Sequence, residues 1–267
     1  MIQLIPAIDI IDGQCVRLQK GVYESKKVYD VSPLSVAREV EQLGYSRLHV
    51  VDLDGAKSSH VVNIQILEEI ASKTSLAIDF GGGIKTDEDL EAVFQAGAAF
   101  ATIGSVAVKN PALFDSWLKR WGAHRFILGA DVNNGYISIN GWKEDSSVEL
   151  LPFIREYYNK GVRNVLCTDI KRDGMLGGSS VELYQTIMQA FPDLKLIASG
   201  GVGSENDITQ LNNAGIPAVV FGKAIYEGKI DLAHLAKTYN LCNQKDMPCC
   251  QKGEACCHKD TPCCGND

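Results

Sequence analysis

The second half of this 267-residue chain repeats the glycine spacing of the first half. Three glycines in each half are separated by the same intervals of 14 and 7 residues: Gly83, Gly97 and Gly104 in the first half, and Gly201, Gly215 and Gly222 in the second. Each half also contains an apolar run that ends at an aspartate, Asp9 or Asp131. Because residue type and spacing repeat together, the sequence predicts two similar halves with two equivalent glycine-rich sites and two equivalent carboxylates.

Short apolar segments alternate with helix-length amphipathic segments along the chain. Eight strands are expected, over about residues 2–8, 48–52, 76–80, 99–103, 126–131, 164–168, 195–199 and 218–221. Most are continuously apolar, as is typical of parallel strands covered on both faces. Eight strand–helix units predict a (β/α)8 TIM barrel of the α/β class, with the active site at the carboxyl ends of the strands. An open doubly wound sheet is the alternative, but two equal four-unit halves favour the barrel.

The charge and the apolar pattern exclude some kinds of partner. A net charge of −7 without a basic stripe argues against nucleic acid. No apolar run approaches the roughly 20 residues needed to span a bilayer, and the N-terminus lacks the features of a signal peptide. We therefore expect a cytoplasmic protein with no membrane or nucleic-acid partner. A small anionic ligand stays compatible with the net charge, because helix N-termini bind phosphate through backbone N–H groups.

Asp9 and Asp131 end the first and fifth predicted strands, which face each other across the mouth of an eight-stranded barrel. Two opposed carboxylates can act as general base and general acid when their surroundings hold them in different protonation states. Either residue could instead only cap the turn after its strand, but the repeat of the pair favours catalysis. Thr168 and Asp173, after the sixth strand, are further candidates that would bind substrate or orient a general acid.

Glycine-rich turns follow four of the predicted strands and form two pairs. Such turns let the backbone approach a phosphate closely, with N–H groups directed at it. The candidate phosphate-binding residues are Gly82, Gly83, Gly104 and Ser105 after strands three and four, and Gly200, Gly201, Gly222 and Lys223 after strands seven and eight. A tight turn alone would explain one glycine pair, but two pairs on opposite rims predict a small-molecule substrate with a phosphate at each end.

The chain lacks the motifs that bind the common cofactors. Neither a Walker A pattern nor a Rossmann-type glycine motif is present. The histidines lack metal-ligand spacing and are interpreted as core or surface residues. We therefore expect no cofactor, and no metal in the barrel.

Taken together, these motifs resemble one family, the histidine-biosynthesis isomerases that act on phosphoribosylformimino-aminoimidazole carboxamide ribotide. The resemblance covers about residues 1–240 and rests on residues 5–9 with Asp12, Gly13 and Arg17, residues 79–84, residues 131–132 with Gly141 and Trp142, residues 168–174, and residues 199–202. It implies a two-fold (β/α)8 barrel that catalyses a metal-free Amadori rearrangement of an aminoaldose to an aminoketose. It also implies a monomer.

The resemblance further implies roles for particular residues. Asp131 would protonate the ribose ring oxygen, which opens the ring to a Schiff base, and Asp9 would remove the C2 proton. The substrate-binding residues implied by the match are Thr168, Asp173, Arg17 and Trp142. Trp142 lies on a loop after the fifth strand that covers the imidazole, unless it is only a partly exposed packing residue.

Two relatives of this family stay open as alternatives. The cyclase subunit of imidazole glycerol phosphate synthase shares the barrel, both aspartates and both phosphate sites. It usually has Cys-Leu-Asp where this chain has Ala7-Ile8-Asp9, and it needs a glutaminase partner that supplies ammonia. The second alternative is a dual-substrate isomerase that also acts on phosphoribosyl anthranilate.

The family pattern ends near residue 240, and a cysteine-rich tail follows it. We assign residues 1–241 to the catalytic barrel, and we expect residues 242–267 to be disordered without a ligand, because they lack apolar residues at core spacing. Three cysteine pairs repeat every 7 residues: Cys249 and Cys250, Cys256 and Cys257, and Cys263 and Cys264. These thiols could bind a soft ion such as Zn²⁺ or Cu⁺, with His258 as an extra donor. A dispensable extension is the alternative.

Overall fold

The computed structural model describes residues 1–19, 22–142 and 144–241 of the chain. The prediction of a disordered cysteine-rich tail falls on residues 242–267, which lie outside the described residues. The described residues contain twelve β-strands: β1 Gln3–Ile11, β2 Gln14–Gln19, β3 Val22–Val28, β4 Arg47–Asp52, β5 Ala77–Gly81, β6 Phe100–Ile103, β7 Phe126–Asn133, β8 Tyr136–Ile139, β9 Glu144–Glu149, β10 Asn164–Asp169, β11 Lys195–Ser199 and β12 Ala218–Phe221.

The α-helices follow the barrel strands and cover the outside of the sheet. Eleven are present in the described part of the chain: α1 Pro33–Gln42, α2 Leu53–Ser58, α3 Ile64–Lys73, α4 Asp87–Gln95, α5 Ser105–Lys109, α6 Pro111–Trp121, α7 Leu150–Asn159, α8 Val181–Ala190, α9 Glu205–Asn213, α10 Lys223–Tyr226 and α11 Leu232–Thr238. A short 3-10 helix covers Ala123–Arg125. None of the helices within these described ranges has the length and apolar character needed to cross a membrane.

Eight of the strands close into a barrel. They pair in parallel in the order β1-β4-β5-β6-β7-β10-β11-β12, and β12 pairs with β1 to complete the circle. This closure confirms the predicted (β/α)8 barrel. The alternative of an open doubly wound sheet is wrong, because such a sheet would leave two unpaired edge strands.

Two antiparallel hairpins, which the sequence analysis did not predict, extend the sheet beyond the barrel. Strands β2 and β3 continue from β1, and β8 and β9 continue from β7. Each hairpin therefore follows the first strand of one half, so the internal repeat includes them. Strands β3 and β9 are rich in charged and hydroxyl side chains, so neither gives the continuous apolar signal of a barrel strand.

The barrel has an apolar interior and a larger outer core. Seven buried side chains fill the inside: Ile5, Ala7, Ile127, Leu166, Ile197, Ala218 and Val220. Side chains on the other face of the same strands pack against the helices. Because successive residues of a strand point to opposite faces, this alternation places Asp9 and Asp131 inside the barrel, near its carboxyl-terminal end.

Two helix starts show the internal repeat at atomic detail. Thr86 caps α4 and Ser204 caps α9, and both form a capping box with an aspartate, Asp89 or Asp207. Each aspartate accepts a backbone N–H from the end of the glycine-rich turn before it, from Lys85 in one half and from Gly203 in the other half. The capping boxes therefore hold the two glycine-rich turns in equivalent positions.

Candidate active site

A cavity opens at the carboxyl ends of the barrel strands. Every residue that the sequence analysis selected in the barrel lines it: Asp9, Arg17, Gly82, Gly83, Gly104, Ser105, Asp131, Trp142, Thr168, Asp173, Gly200, Gly201, Gly222 and Lys223. Strands β1 and β7, which carry the two aspartates, lie on opposite sides of the barrel because three barrel strands separate them in each direction. The chain thus brings both carboxylates and both glycine-rich sites to one cavity.

Arg17 bridges two carboxylates on one side of the cavity. Its Nη1 donates to Asp9 Oδ2 at 2.8 Å, and its Nη2 donates to Asp173 at 2.8 Å and 3.0 Å. Burial alone would lower the pKa of Arg17, but the charges of both carboxylates outweigh it and raise that pKa. Burial raises the pKa of Asp173, with the charge of Asp9 adding to the rise and Arg17 opposing it. Arg17 therefore orients both carboxylates as a permanent cation.

Asp131, on the opposite side, has a different environment. Its Oδ2 accepts the indole Nε1–H of Trp142 at 2.8 Å, and Thr168, its partner in the β7–β10 register, also hydrogen-bonds to it. Burial nevertheless raises the pKa of Asp131, because it outweighs these two hydrogen bonds and the nearby charge of His49. A carboxylic acid whose pKa is raised stays protonated at higher pH, as a general acid requires.

Asp9 and Asp131 each accept a hydrogen bond from the hairpin that follows their own strand. Arg17 lies on β2, and Trp142 comes after β8. Trp142 has φ of +67°, a left-handed conformation that is strained for a bulky side chain. The neighbouring residues Asn140 and Gly141 are also left-handed, with φ of 58° and 63°. This tight loop directs the indole at Asp131.

Close backbone approach explains two of the candidate phosphate-binding glycines. A Cβ at Gly82 would lie 2.1 Å from the carbonyl oxygen of Asp52, and one at Gly201 would lie 2.2 Å from that of Gly178. Both glycines also have positive φ, 97° and 85°. In contrast, Gly104 has more room, since its Cβ would approach no heavy atom closer than 3.6 Å. The turns are therefore built so that only glycine fits at their tightest points, whatever ligand they bind.

Each glycine-rich site also carries a lysine. Lys223 donates to the carbonyl oxygen of Gly174 from the turn after β12. Lys85, which the sequence analysis missed, lines the cavity beside Gly83. Burial lowers the pKa of Lys85, and the nearby Lys109 lowers it further. An anion bound at this turn would relieve both effects. A basic residue directly after a glycine-rich turn was the signal available in the sequence.

A buried charged network lies inside the barrel, and the sequence analysis missed it as well. Asp79 accepts hydrogen bonds from Arg47 Nε, at 3.0 Å, and from His49 Nδ1. His49 lines the cavity. Burial lowers the pKa of His49, but the charge and hydrogen bond of Asp79 outweigh it and raise that pKa. Asp79 is therefore the buried carboxylate that pairs with both of these cations inside the barrel.

Within residues 1–19, 22–142 and 144–241, no group of three or more histidine, cysteine, aspartate or glutamate side chains could hold a metal ion. The cysteine pairs of the tail lie outside these ranges, so the predicted tail site stays a prediction.

Comparison with known proteins gives the family. The family model described as "Histidine biosynthesis protein" matches residues 3–231. A protein of Phocaeicola vulgatus is 62% identical over 235 residues, which cover 88% of this chain and 98% of that protein. One of Bacteroides thetaiotaomicron is 58% identical over 235 residues, covering 88% and 98%, and one of Flavobacterium psychrophilum is 52% identical over 233 residues, covering 87% and 97%.

All three relatives bear the name 1-(5-phosphoribosyl)-5-((5-phosphoribosylamino)methylideneamino) imidazole-4-carboxamide isomerase. The family model spans most of the chain, and the relatives match nearly from end to end. The chain belongs to the family of histidine biosynthesis proteins.

Proposed function

We propose that this chain is an intramolecular aldose–ketose isomerase, which converts the phosphoribosylformimino-aminoimidazole carboxamide ribotide aminoaldose to its aminoketose in histidine biosynthesis. The observation that carries this proposal is the 62% identity, over 235 residues, to a relative named as the isomerase of this ribotide. The cavity supports it, because two opposed carboxylates and two glycine-rich sites line the same space.

The proposed substrate has a phosphate at each end, and it spans the barrel mouth. One phosphate binds at Gly82, Gly83, Gly104 and Ser105, and the other binds at Gly200, Gly201, Gly222 and Lys223. Backbone N–H groups and a nearby lysine supply the donors at each turn. Thr168 and Asp173 contact the central part of the substrate, and Trp142 covers its imidazole.

In the proposed reaction, Asp131 donates its proton to the ribose ring oxygen, and the bond from that oxygen to C1 breaks. The nitrogen lone pair forms the C1=N bond of a protonated Schiff base. Asp9 then takes the proton from C2, and the C–H electron pair becomes the C1–C2 double bond of an enolamine, which neutralises the nitrogen. Tautomerisation adds a proton at C1 and leaves the ketone at C2. Arg17 orients Asp9 for the second step.

The proposal takes residues 1–241 as the catalytic domain of a monomer, because one chain supplies every residue named for the site. It places the enzyme in the cytoplasm, because a substrate with two phosphates does not cross a membrane unaided. The reaction needs no cofactor, because proton transfers alone balance it.

The purified full-length chain should convert the aminoaldose to the aminoketose without ammonia or glutamine. A spectrophotometric assay with the ribotide as the only added substrate measures this. Dependence on ammonia would contradict the proposal and indicate the cyclase. A parallel assay with phosphoribosyl anthranilate tests the dual-substrate alternative, and turnover at a similar kcat/KM would replace the single-substrate proposal.

Replacing Trp142 by phenylalanine should move the basic limb of the kcat/KM profile to higher pH. The indole hydrogen bond lowers the pKa of Asp131, so its removal raises that pKa. A general acid must be protonated, so activity then persists to higher pH. The profile is measured for the parent and for the variant.

Trp121→Phe is the matched control for this change, because Trp121 packs on Phe94 outside the cavity. Its pH profile should match that of the parent. A midpoint that does not move in Trp142→Phe would contradict Asp131 as the proton donor. It would point instead to Asp173, the other cavity acid whose pKa is raised by burial.

We also propose that the three cysteine pairs of the tail bind a soft ion. This proposal rests on the sequence alone. The family model ends at residue 231, and the three relatives align with only 233–235 of the 267 residues of this chain. The full-length chain should therefore take up Zn²⁺ from a chromophoric chelator, and a chain that ends at Leu241 should not. Unchanged isomerase activity in the shorter chain is also expected. Equal zinc uptake by both would support a dispensable extension.

A further inference from the structure

Four side chains fasten the β2–β3 hairpin to the turn after β12. The ring of Tyr29 stacks on that of Tyr226, with 4.5 Å between the ring centroids and 19° between the planes. Glu227 Oε1 accepts two hydrogen bonds, one from Lys27 Nζ at 2.8 Å and one from the Tyr29 hydroxyl at 3.1 Å. We call Lys27, Tyr29, Tyr226 and Glu227 the hairpin clamp.

On the hairpin side, the clamp is connected to β2, the strand that carries Arg17. Lys27 is the cross-strand partner of Arg17 in the β2–β3 register. The backbone N–H of Tyr29 donates to the carbonyl oxygen of Cys15 at 3.0 Å, and the Tyr226 hydroxyl hydrogen-bonds to the buried Cys15 thiol. The clamp therefore holds β2 just before Arg17 and holds β3 opposite it.

On its other side, the clamp is connected to the glycine-rich turn after β12. Helix α10 starts at Lys223, directly after Gly222, and Tyr226 ends it. Helix α10 and Glu227 are therefore continuous in the chain with the turn that carries Gly222 and Lys223. The stacked rings of Tyr29 and Tyr226 connect this turn to the hairpin.

We propose that Tyr29, Tyr226 and Glu227 are positioning residues that couple the Gly222–Lys223 turn to the orientation of Arg17, and through Arg17 to Asp9. This inference rests on the proposed function, because it concerns the step in which Asp9 removes a proton. The clamp side chains do not line the cavity, so their effect passes through Arg17, which contacts both Asp9 and Asp173.

The test compares Tyr29→Ala with Tyr29→Phe in the full-length enzyme. The alanine variant loses the stacked ring and the hydroxyl, and its kcat should fall about 10- to 100-fold, as expected when a catalytic group is displaced by up to about 1 Å. The phenylalanine variant keeps the ring and should recover most of the loss. With substrate deuterated at C2, the isotope effect on kcat should rise in the alanine variant, because proton removal by Asp9 becomes slower relative to the other steps.

Tyr158→Ala serves as the matched control, because it removes a comparable ring contact, with Phe191 at 5.3 Å, on the outside of the barrel. Its kcat and isotope effect should equal those of the parent. The inference would be overturned if Tyr29→Ala had the kcat of this control, or a lower kcat with the parental isotope effect. Failure of the proposed function is distinct, because the parent itself would then show no turnover of the ribotide.

Discussion

Replacing Asp9 by asparagine should reduce the kcat of ribotide isomerisation by about 10²- to 10⁴-fold, the usual contribution of a general base. The amide has nearly the same shape as the carboxylate, but it cannot take the C2 proton. Its oxygen can still accept from Arg17 Nη1, and Arg17 keeps both hydrogen bonds to Asp173. The loss should therefore appear in turnover and leave the unfolding midpoint close to that of the parent. Steady-state kinetics and urea unfolding measure the two quantities.

Asp12→Asn provides the control on the same strand connection. The Asp12 side chain is 73% exposed and pairs with Lys26 at 3.4 Å. Its φ of 53° suits asparagine, which tolerates the left-handed region well. The variant removes one negative charge at a residue that does not line the cavity, so kcat should stay at the parental value. Parental turnover in Asp9→Asn would show that Asp9 is not the base.

The internal repeat explains why the barrel and most of the candidate site could be predicted from the sequence. Parallel strands buried on both faces have continuous apolar sequences, so the position of each strand can be predicted from its apolar run. The carboxyl ends of such strands converge in a barrel, so residues as distant in sequence as Asp9 and Asp173 were expected in one cavity. The glycine turns were equally visible, because their close backbone approaches admit no side chain.

The hairpins and the interior charges could not be predicted for a physical reason. Strands β3 and β9 lie outside the barrel, where polar side chains face solvent, so their sequences resemble those of loops. Arg47 and His49 on β4 hydrogen-bond to Asp79 on the neighbouring strand β5, and about thirty residues separate these partners in the sequence. A single histidine in an apolar run does not reveal such a partner. The network is visible only once the register is known.

Replacing Asp79 by asparagine should lower the free energy of unfolding by about 3–5 kcal/mol, because it removes one partner of a buried charged network. The Asp79 side chain is 1% exposed, and Arg47 and His49 both donate to it. The amide fills the same space, so no cavity contributes to the loss. His49 can release its proton, but Arg47 keeps its charge and stays buried without a counter-charge. Urea unfolding at pH 5.5 measures the difference. This pH lies within the range of about 5–8 in which proteins are usually most stable.

The pH dependence of this loss follows from the two pKa shifts. The pKa of His49 is raised above its ordinary value of 6.5, so its contribution is complete below that pH and is lost as pH rises through the folded-state pKa. Burial alone would raise the pKa of Asp79, but His49 and Arg47 lower it below its ordinary value of 3.8. Its contribution is present above 3.8 and is lost as pH falls through the folded-state pKa. The free energy of unfolding of the parent should therefore exceed that of the Asp79→Asn variant most between pH 3.8 and pH 6.5.

Glu91→Gln is the control for removal of a carboxylate from a salt bridge, because Glu91 pairs with Arg120 at the surface. Exposed pairs of this kind contribute only about 0–1 kcal/mol, and the loss should not change between pH 5.5 and a pH above the range in which His49 titrates. If Asp79→Asn cost no more than Glu91→Gln, or if its cost grew as pH rose, Asp79 would not be the counter-charge of a protonated His49. A large loss that shrinks with rising pH, beside a small constant loss in Glu91→Gln, is the result that the buried network requires.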